Sequence, residues 1–160
     1  MSLIGIVAKK KDIKAIKKEI YEKSINFIEI NKESMKNLKN IKFDEVIFLQ
    51  DIQLDKEECQ YMNEIVSKSK YLVLNGDIQL DILKKFKIQK TIKIITFGFN
   101  SKCTFSISSV NDEKVIICLQ KDIEKLNGEI LESQEKQIMF GYNKKIYNNL
   151  IVFIITELHN

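Results

Sequence analysis

Short apolar runs alternate with stretches of helical periodicity through the first hundred residues of this 160-residue chain. The runs are apolar on both faces, as expected of strands that are covered on both sides of a sheet. Parallel strands need crossover connections, and the helical stretches between the runs supply them. The pattern predicts strands at 3–8, 25–30, 46–49, 71–74 and 93–97, with helices at 12–23, 34–40, 55–68 and 77–86.

The pattern changes after residue 100, where apolar and polar residues alternate. Residues 103–110 alternate, residues 111–113 form a turn, and residues 114–119 return as a strand, which predicts an antiparallel hairpin with one covered face. Further short strands are expected between 123 and 138, followed by a closing helix over 143–158. We therefore predict an α/β fold in which a mostly parallel, Rossmann-like sheet is flanked by helices, in a single domain covering 1–160.

The basic residues limit the expected partners. The net charge is +4, and every one of the 26 basic residues is lysine. Arginine is the better residue for bidentate contacts to phosphate and guanine, so we interpret the charge as a solvated surface and expect no nucleic-acid partner. No apolar run approaches the roughly 20 residues needed to cross a bilayer, and no membrane partner is expected either.

Cysteine and histidine offer no metal site. Cys59, Cys103 and Cys118 lie far apart in the sequence, and the single histidine, His159, lies next to the last residue. No zinc-ligand spacing and no nucleophile–base pair can be built from them. We expect reduced thiols in a cytoplasmic protein, with no metal and no catalytic residue.

No glycine-rich phosphate loop follows the first predicted strand. Residues 8–12 read Ala-Lys-Lys-Lys-Asp where the Rossmann and P-loop fingerprints place glycines. Lys9, Lys10 and Lys11 can attract a phosphate by charge, but they cannot form a nest of backbone N–H groups. A solvated surface and an anion contact both remain open for these three lysines.

Acidic residues follow the third and fourth predicted strands. Ligands and Mg²⁺ lie at this edge of α/β sheets. Asp51, Asp55, Glu57 and Glu58 follow the third strand, and the alternative for them is an acidic first helical turn favoured by the helix dipole. Asp77 follows the fourth strand, and it either meets a ligand there or caps the next helix.

Four segments stand in a distinctive order: Ile4-Gly5-Ile6-Val7, Leu74-Asn75-Gly76-Asp77, Ile95-Thr96-Phe97-Gly98 before the hairpin, and a last helix containing Asn148. This order resembles the central, ATP-binding domain of the Mur ligases and folylpolyglutamate synthases, and the resemblance covers nearly the whole chain. In that family the first segment leads into the phosphate loop, and the asparagine that matches Asn148 contacts adenine.

The chain departs from that family at its catalytic positions. The phosphate loop is missing, the Asp-His after the third strand is replaced by Gln50-Asp51-Ile52-Gln53, and the carbamylated lysine aligns with Met62. Forming an acyl phosphate needs the phosphate cradle, the lysine and Mg²⁺ together. The resemblance therefore implies a catalytically degenerate Mur-ligase-like domain, not an enzyme. It would act as a binding or scaffolding protein linked to cell-envelope synthesis, through an unknown protein partner or self-association, without a cofactor.

The alternative is a ligand sensor that retains a weak site for an anion or for an adenine nucleotide, ATP or ADP. By the same resemblance, the residues lining this vestigial site would be Lys9, Lys10, Lys11, Asp77 and Asn148. An exposed polar face of the closing helix explains Asn148 equally well.

Overall fold

In the computed structural model, which describes residues 1–20 and 24–160, ten strands and four α-helices follow one another along the chain. The strands are β1 (Ser2–Val7), β2 (Ile25–Glu29), β3 (Glu45–Phe48), β4 (Tyr71–Asn75), β5 (Lys93–Gly98), β6 (Phe105–Val110), β7 (Lys114–Leu119), β8 (Ile123–Glu124), β9 (Ile130–Leu131) and β10 (Gln134–Met139). The helices are α1 (Lys10–Glu19), α2 (Met35–Leu38), α3 (Lys56–Ser67) and α4 (Ile146–His159), and a short 3-10 helix covers Asp81–Lys85.

Eight of these strands form one sheet in the order β10-β7-β6-β5-β4-β3-β1-β2. Strands β1 to β6 are parallel, whereas β7 is antiparallel to β6 and β10 is antiparallel to β7. Strands β8 and β9 pair separately. The predicted α/β fold, with its mostly parallel sheet, C-terminal antiparallel region and closing helix, is confirmed.

Helices cover both faces of the parallel strands. Ile4 and Ile6 of β1 pack in one cluster with the apolar residues of α1 and α4. Val7 lies in the cluster on the other face with the apolar residues of α2, α3 and the 3-10 helix. This two-sided burial explains why the parallel strands are continuous apolar runs in the sequence.

The antiparallel strands are covered on one face only. In β7, Val115, Ile117 and Leu119 are buried in the cluster that includes α4, whereas Ile116 and Cys118 between them are half-buried. The predicted hairpin with one covered face is confirmed, and its period-two pattern follows from this one-sided burial.

The bounds of the predicted helices differ from the structure: α2 covers only Met35–Leu38, and α4 begins at Ile146. Helix α1 begins at Lys10 because the N–H groups of Asp12 and Ile13 both donate to the carbonyl of Lys9; the predicted end of this helix, 21–23, lies outside the described residues. The helix predicted over 77–86 is wrong in length, since it is the 3-10 helix Asp81–Lys85. Asp77 does not cap it, because its carboxylate is bonded to the loop after β5.

Candidate functional site

The order of the parallel strands reverses at β1, which lies between β2 and β3. In open α/β sheets, ligands bind outside the carboxyl ends of the strands at such a switch point. A cavity of about 490 Å³ lies at this position, a size typical of small-molecule sites. We call it the switch-point cavity; its lining comes from the ends of β1 and β3, from the loop after β5 and from the start of α4, and comprises Lys9, Asp12, Leu49, Gln50, Phe99, Lys144, Lys145, Ile146, Tyr147 and Asn148.

A buried carboxylate, Asp12, organises one wall of the switch-point cavity. Its Oδ1 atom accepts a hydrogen bond from Lys145 Nζ at 2.7 Å and another from Asn148 Nδ2 at 3.1 Å. Burial alone would raise the pKa of Asp12, but the bonds from Lys145 and Asn148 outweigh it, so the pKa lies below the usual 3.8. Asp12 is therefore ionised at neutral pH and balances the charge of Lys145.

The remaining cations of the cavity have no carboxylate partner. Lys9 and Lys144 are exposed at its rim, and neither forms an ion pair within residues 1–20 and 24–160. Together with Lys145, they outnumber the single carboxylate in the lining, Asp12. The electrostatics of the cavity therefore favour an anionic ligand.

Phe99 gives the cavity an exposed aromatic wall. Its side chain is 51% exposed, although phenylalanine is usually buried. Its ring lies edge-on to that of Tyr147, with 6.3 Å between the ring centroids. An exposed, laterally supported ring of this kind can stack against a planar group of a ligand.

Asp77 holds this aromatic wall in position. Its carboxylate accepts the N–H groups of Phe99 at 2.7 Å and Asn100 at 3.1 Å, and the hydroxyl of Tyr147 donates to it at 2.8 Å. Gly98 has a φ of +150°, and a Cβ there would lie 2.5 Å from Asp77 Oδ2. Burial and the Asp77 carboxylate raise the pKa of Tyr147 to about 12, so its hydroxyl keeps its proton. All these bonds are within the protein, and Asp77 does not line the cavity.

The three lysines after β1 diverge. Lys9 lines the switch-point cavity, Lys10 lines a separate depression beside Glu29, and Lys11 lines a neighbouring cavity that also contains Tyr142. The 100° step between successive helical residues causes this divergence. Of the five residues inferred from the family resemblance, the structure brings only Lys9 and Asn148 into one cavity.

Asn148 lies inside the protein. It is 3% exposed, and its side-chain amide donates to Asp12. Asn148 is therefore not an exposed residue of α4. It lines the switch-point cavity, but its amide group already donates a hydrogen bond to the buried carboxylate of Asp12.

We expect Asn148→Ala to lower the free energy of unfolding by about 1–3 kcal/mol, because the Asp12 carboxylate loses one of its two donors. Urea unfolding followed by circular dichroism measures this. The control is a double-mutant cycle with Asp12→Ala, in which the two losses should fall well short of adding. A loss below about 0.5 kcal/mol, or full additivity, would show that the bond between the two side chains contributes nothing.

The acidic residues after β3 stabilise α3. Asp55 accepts the N–H of Glu58 at 2.9 Å, and the Glu58 side chain accepts the N–H of Asp55 at 2.9 Å, so the two form a capping box. Tyr61 donates to Glu57 one turn further on. Among the described residues, no group of three histidine, cysteine or acidic side chains could hold a metal ion. The interpretation as an acidic first helical turn agrees with this geometry for Asp55 and Glu58.

The only histidine is buried at the opposite end of the sheet from the cavity. His159 Nε2 lies 2.5 Å from Oε1 of Glu45, which is fully buried as the first residue of β3. Burial raises the pKa of Glu45 above its usual value, against the effect of His159. The second carboxylate oxygen of Glu45 has no hydrogen-bond partner among the described residues. This pair connects the end of α4 to β3 and does not line the switch-point cavity.

Within the part of the chain that the structure describes, no helix has the length and apolar character needed to cross a bilayer.

Comparison of the sequence with known families and curated proteins assigns no family to the chain. Neither the models of known protein families nor the curated protein sequences contain a match to this chain. The resemblance to the Mur ligase central domain therefore stays a prediction from the four segments quoted above.

Proposed function

We propose that the protein is a non-enzymatic binding protein whose switch-point cavity holds a small anionic ligand with a planar ring, for which ADP and ATP are the model compounds. The observation that carries the proposal is the combination of Lys9, Lys144 and Lys145 with the exposed ring of Phe99 in one cavity at the switch point. Cations and a stacking surface at the carboxyl ends of parallel strands suit a phosphate attached to a heterocycle.

The start of α1 supports the anionic character of the ligand. This ten-residue helix begins beside the cavity, and among the described residues no side chain caps its N-terminus. Uncapped N–H groups and the helix dipole favour a negative charge at this end. Lys9 lies at this N-cap position, so its ammonium group adds to the same attraction.

The residues around the cavity support binding over phosphoryl transfer. Transfer needs a backbone cradle, a positioned lysine and carboxylates that hold Mg²⁺. The loop after β1 carries lysines in place of the glycines that such a cradle needs. The Asp77 carboxylate already accepts three hydrogen bonds within the protein, from Phe99, Asn100 and Tyr147. The resemblance of four segments to the Mur ligases supports the wider proposal of a degenerate domain linked to cell-envelope synthesis.

Scaffolding through a protein partner or self-association is the second candidate. The observation in its favour is the face of β6, β7 and β10 that none of the described helices covers, on which Ile116 and Cys118 are half-buried. Sedimentation velocity over a hundredfold range of protein concentration tests self-association. A constant sedimentation coefficient for the monomer would remove that form of the proposal.

We expect Phe99→Ala to weaken ADP binding by about tenfold, since stacking of a base on an aromatic ring contributes about 1–3 kcal/mol. Isothermal titration calorimetry with wild type and variant measures the change. Met139→Ala is the matched control, because Met139 is 57% exposed and lies outside the cavity. No measurable heat with wild type, or equal affinities for wild type and Phe99→Ala, would contradict the proposal.

A further inference from the structure

A second cavity of about 440 Å³ adjoins the switch-point cavity along α1. The two share Asp12 and Lys145 in their linings, and the second adds Lys11, Lys14, Lys18, Glu19 and Tyr142. We call it the α1 cavity. The two cavities lie side by side along α1, with Asp12 and Lys145 at their boundary, and together we call them the groove.

The ion pair between Lys145 and Asp12 stands where the two cavities meet. The Lys145 side chain is 53% exposed, whereas that of Asp12 is only 10% exposed. The lysine head is therefore accessible from both cavities while its partner stays within the protein. A phosphate that crosses the boundary would meet the ammonium group of Lys145 first.

Positive charge is concentrated along this groove. Six lysines line the two cavities: Lys9, Lys11, Lys14, Lys18, Lys144 and Lys145. The carboxylates in the two linings are those of Asp12 and Glu19. The Glu19 carboxylate at the end of α1 is occupied by the N–H of Tyr142 at 3.0 Å. These six lysines against two carboxylates give a net +4, equal to the net charge of the whole chain. An excess of positive charge therefore lies along these two cavities.

Each cavity has one exposed aromatic ring. Tyr142 in the α1 cavity is 94% exposed, and Phe99 in the switch-point cavity is 51% exposed. The helix between Lys9 and Lys18 spans about 14 Å at 1.5 Å per residue. That length accommodates more than one nucleotide, since stacked nucleotides advance by about 3.4 Å each.

We infer that the ligand spans both cavities as two nucleotides joined through phosphate, with one base on Phe99, the other on Tyr142 and the connecting phosphate near Lys145. The inference rests on the proposed function and extends it to a second base. Lysine binds phosphate as a point charge, and aromatic stacking on a base needs no arginine. A free dinucleotide and the end of a single strand present the same chemistry.

Calorimetry with ADP, a 5′-phosphorylated linear diadenylate and a ten-residue oligoadenylate tests this inference. We expect the diadenylate to bind at least tenfold more tightly than ADP. The Tyr142→Ala variant should lose this gain in affinity, and so should a double variant with Lys14→Gln and Lys18→Gln. Both variants should bind ADP within about twofold of wild type, because these residues lie outside the switch-point cavity. Tyr142 is almost fully exposed, so its replacement does not disturb the core.

The outcomes separate this inference from the proposed function. ADP binding without a gain for the diadenylate would overturn the second base and leave the proposed function intact, whereas no binding of either compound would overturn both. The inference would be overturned if the Tyr142→Ala variant kept the higher affinity for the diadenylate, or if tripolyphosphate bound with the same higher affinity. Either result would show that the α1 cavity contributes only electrostatic attraction. A gain lost in Tyr142→Ala supports the inference, and tighter binding of the ten-residue strand then identifies the source as single-stranded nucleic acid.

Discussion

Replacing His159 by alanine is expected to lower the free energy of unfolding by about 2–3 kcal/mol, because the buried Glu45 carboxyl group loses its hydrogen-bond partner. Glu45 is fully buried, and His159 Nε2 lies 2.5 Å from its carboxylate. Without His159, Glu45 must either remain charged without a partner or take up a proton, and both are unfavourable. Urea unfolding at pH 7, followed by circular dichroism, measures the loss.

Glu45→Gln is the matched control for this pair. Glutamine keeps the volume and a hydrogen bond to His159, so we expect a loss below about 1 kcal/mol. Burial raises the pKa of Glu45 above 4.5, so the carboxyl group stabilises the fold fully below pH 4.5 and loses this contribution as the pH rises through its folded pKa. Relative to Glu45→Gln, wild type should therefore lose stability as the pH rises from 4.5. A His159→Ala loss below about 1 kcal/mol would contradict this account of the pair.

The largest expected effect on binding comes from reversing the two unpaired charges of the cavity. We expect Lys9→Glu combined with Lys144→Glu to weaken ADP binding by about a hundredfold, since charge-assisted contacts contribute about 1.5–3 kcal/mol each. Both side chains are exposed and form no ion pair with the described residues, so the fold should be retained. Calorimetry at 50 and 200 mM salt measures the change and shows its electrostatic origin.

Lys85→Glu combined with Lys87→Glu is the control for this reversal. These lysines are exposed and lie outside the switch-point cavity, and their replacement changes the net charge of the chain by the same amount. We expect less than a threefold change in ADP affinity for this control, because charges beyond about 10 Å are largely screened at 0.1 M salt. Equal losses in the two double variants would indicate that net charge, not the cavity, governs binding.

Local patterns predicted most of the fold because burial leaves a direct trace in the sequence. Strands β1, β3 and β4 bury apolar residues on both faces and are nearly continuous apolar runs, whereas β7 is covered on one face and alternates. The prediction of a helix over 77–86 was wrong because a contact with residues distant in the sequence determines the conformation at its start. Asp77 binds the N–H groups of Phe99 and Asn100, 22 and 23 residues later, and no local pattern records that contact.

Less of the candidate site could be predicted from the sequence, because its contacts also join residues that lie far apart in the chain. The position of a residue after a strand was enough to select Lys9, and the family resemblance selected Asn148. The Asp12–Lys145 pair joins residues 133 positions apart, and the exposure of Phe99 depends on how Asp77 and Tyr147 hold its loop. Composition likewise counts the lysines but does not reveal that six of them line two adjoining cavities.

Thermal unfolding with and without millimolar ADP, ATP and UDP-sugars tests the switch-point cavity most directly. A ligand present at a hundredfold excess over its Kd stabilises the native state by about 2.7 kcal/mol, which raises the Tm of a domain of this size by several degrees. We predict such a rise in the Tm of wild type with ADP and with ATP, and a smaller rise in the Tm of the Phe99→Ala variant with the same nucleotides. An unchanged Tm with all three kinds of compound would contradict the assignment of this cavity as a binding site for a phosphate-bearing heterocycle.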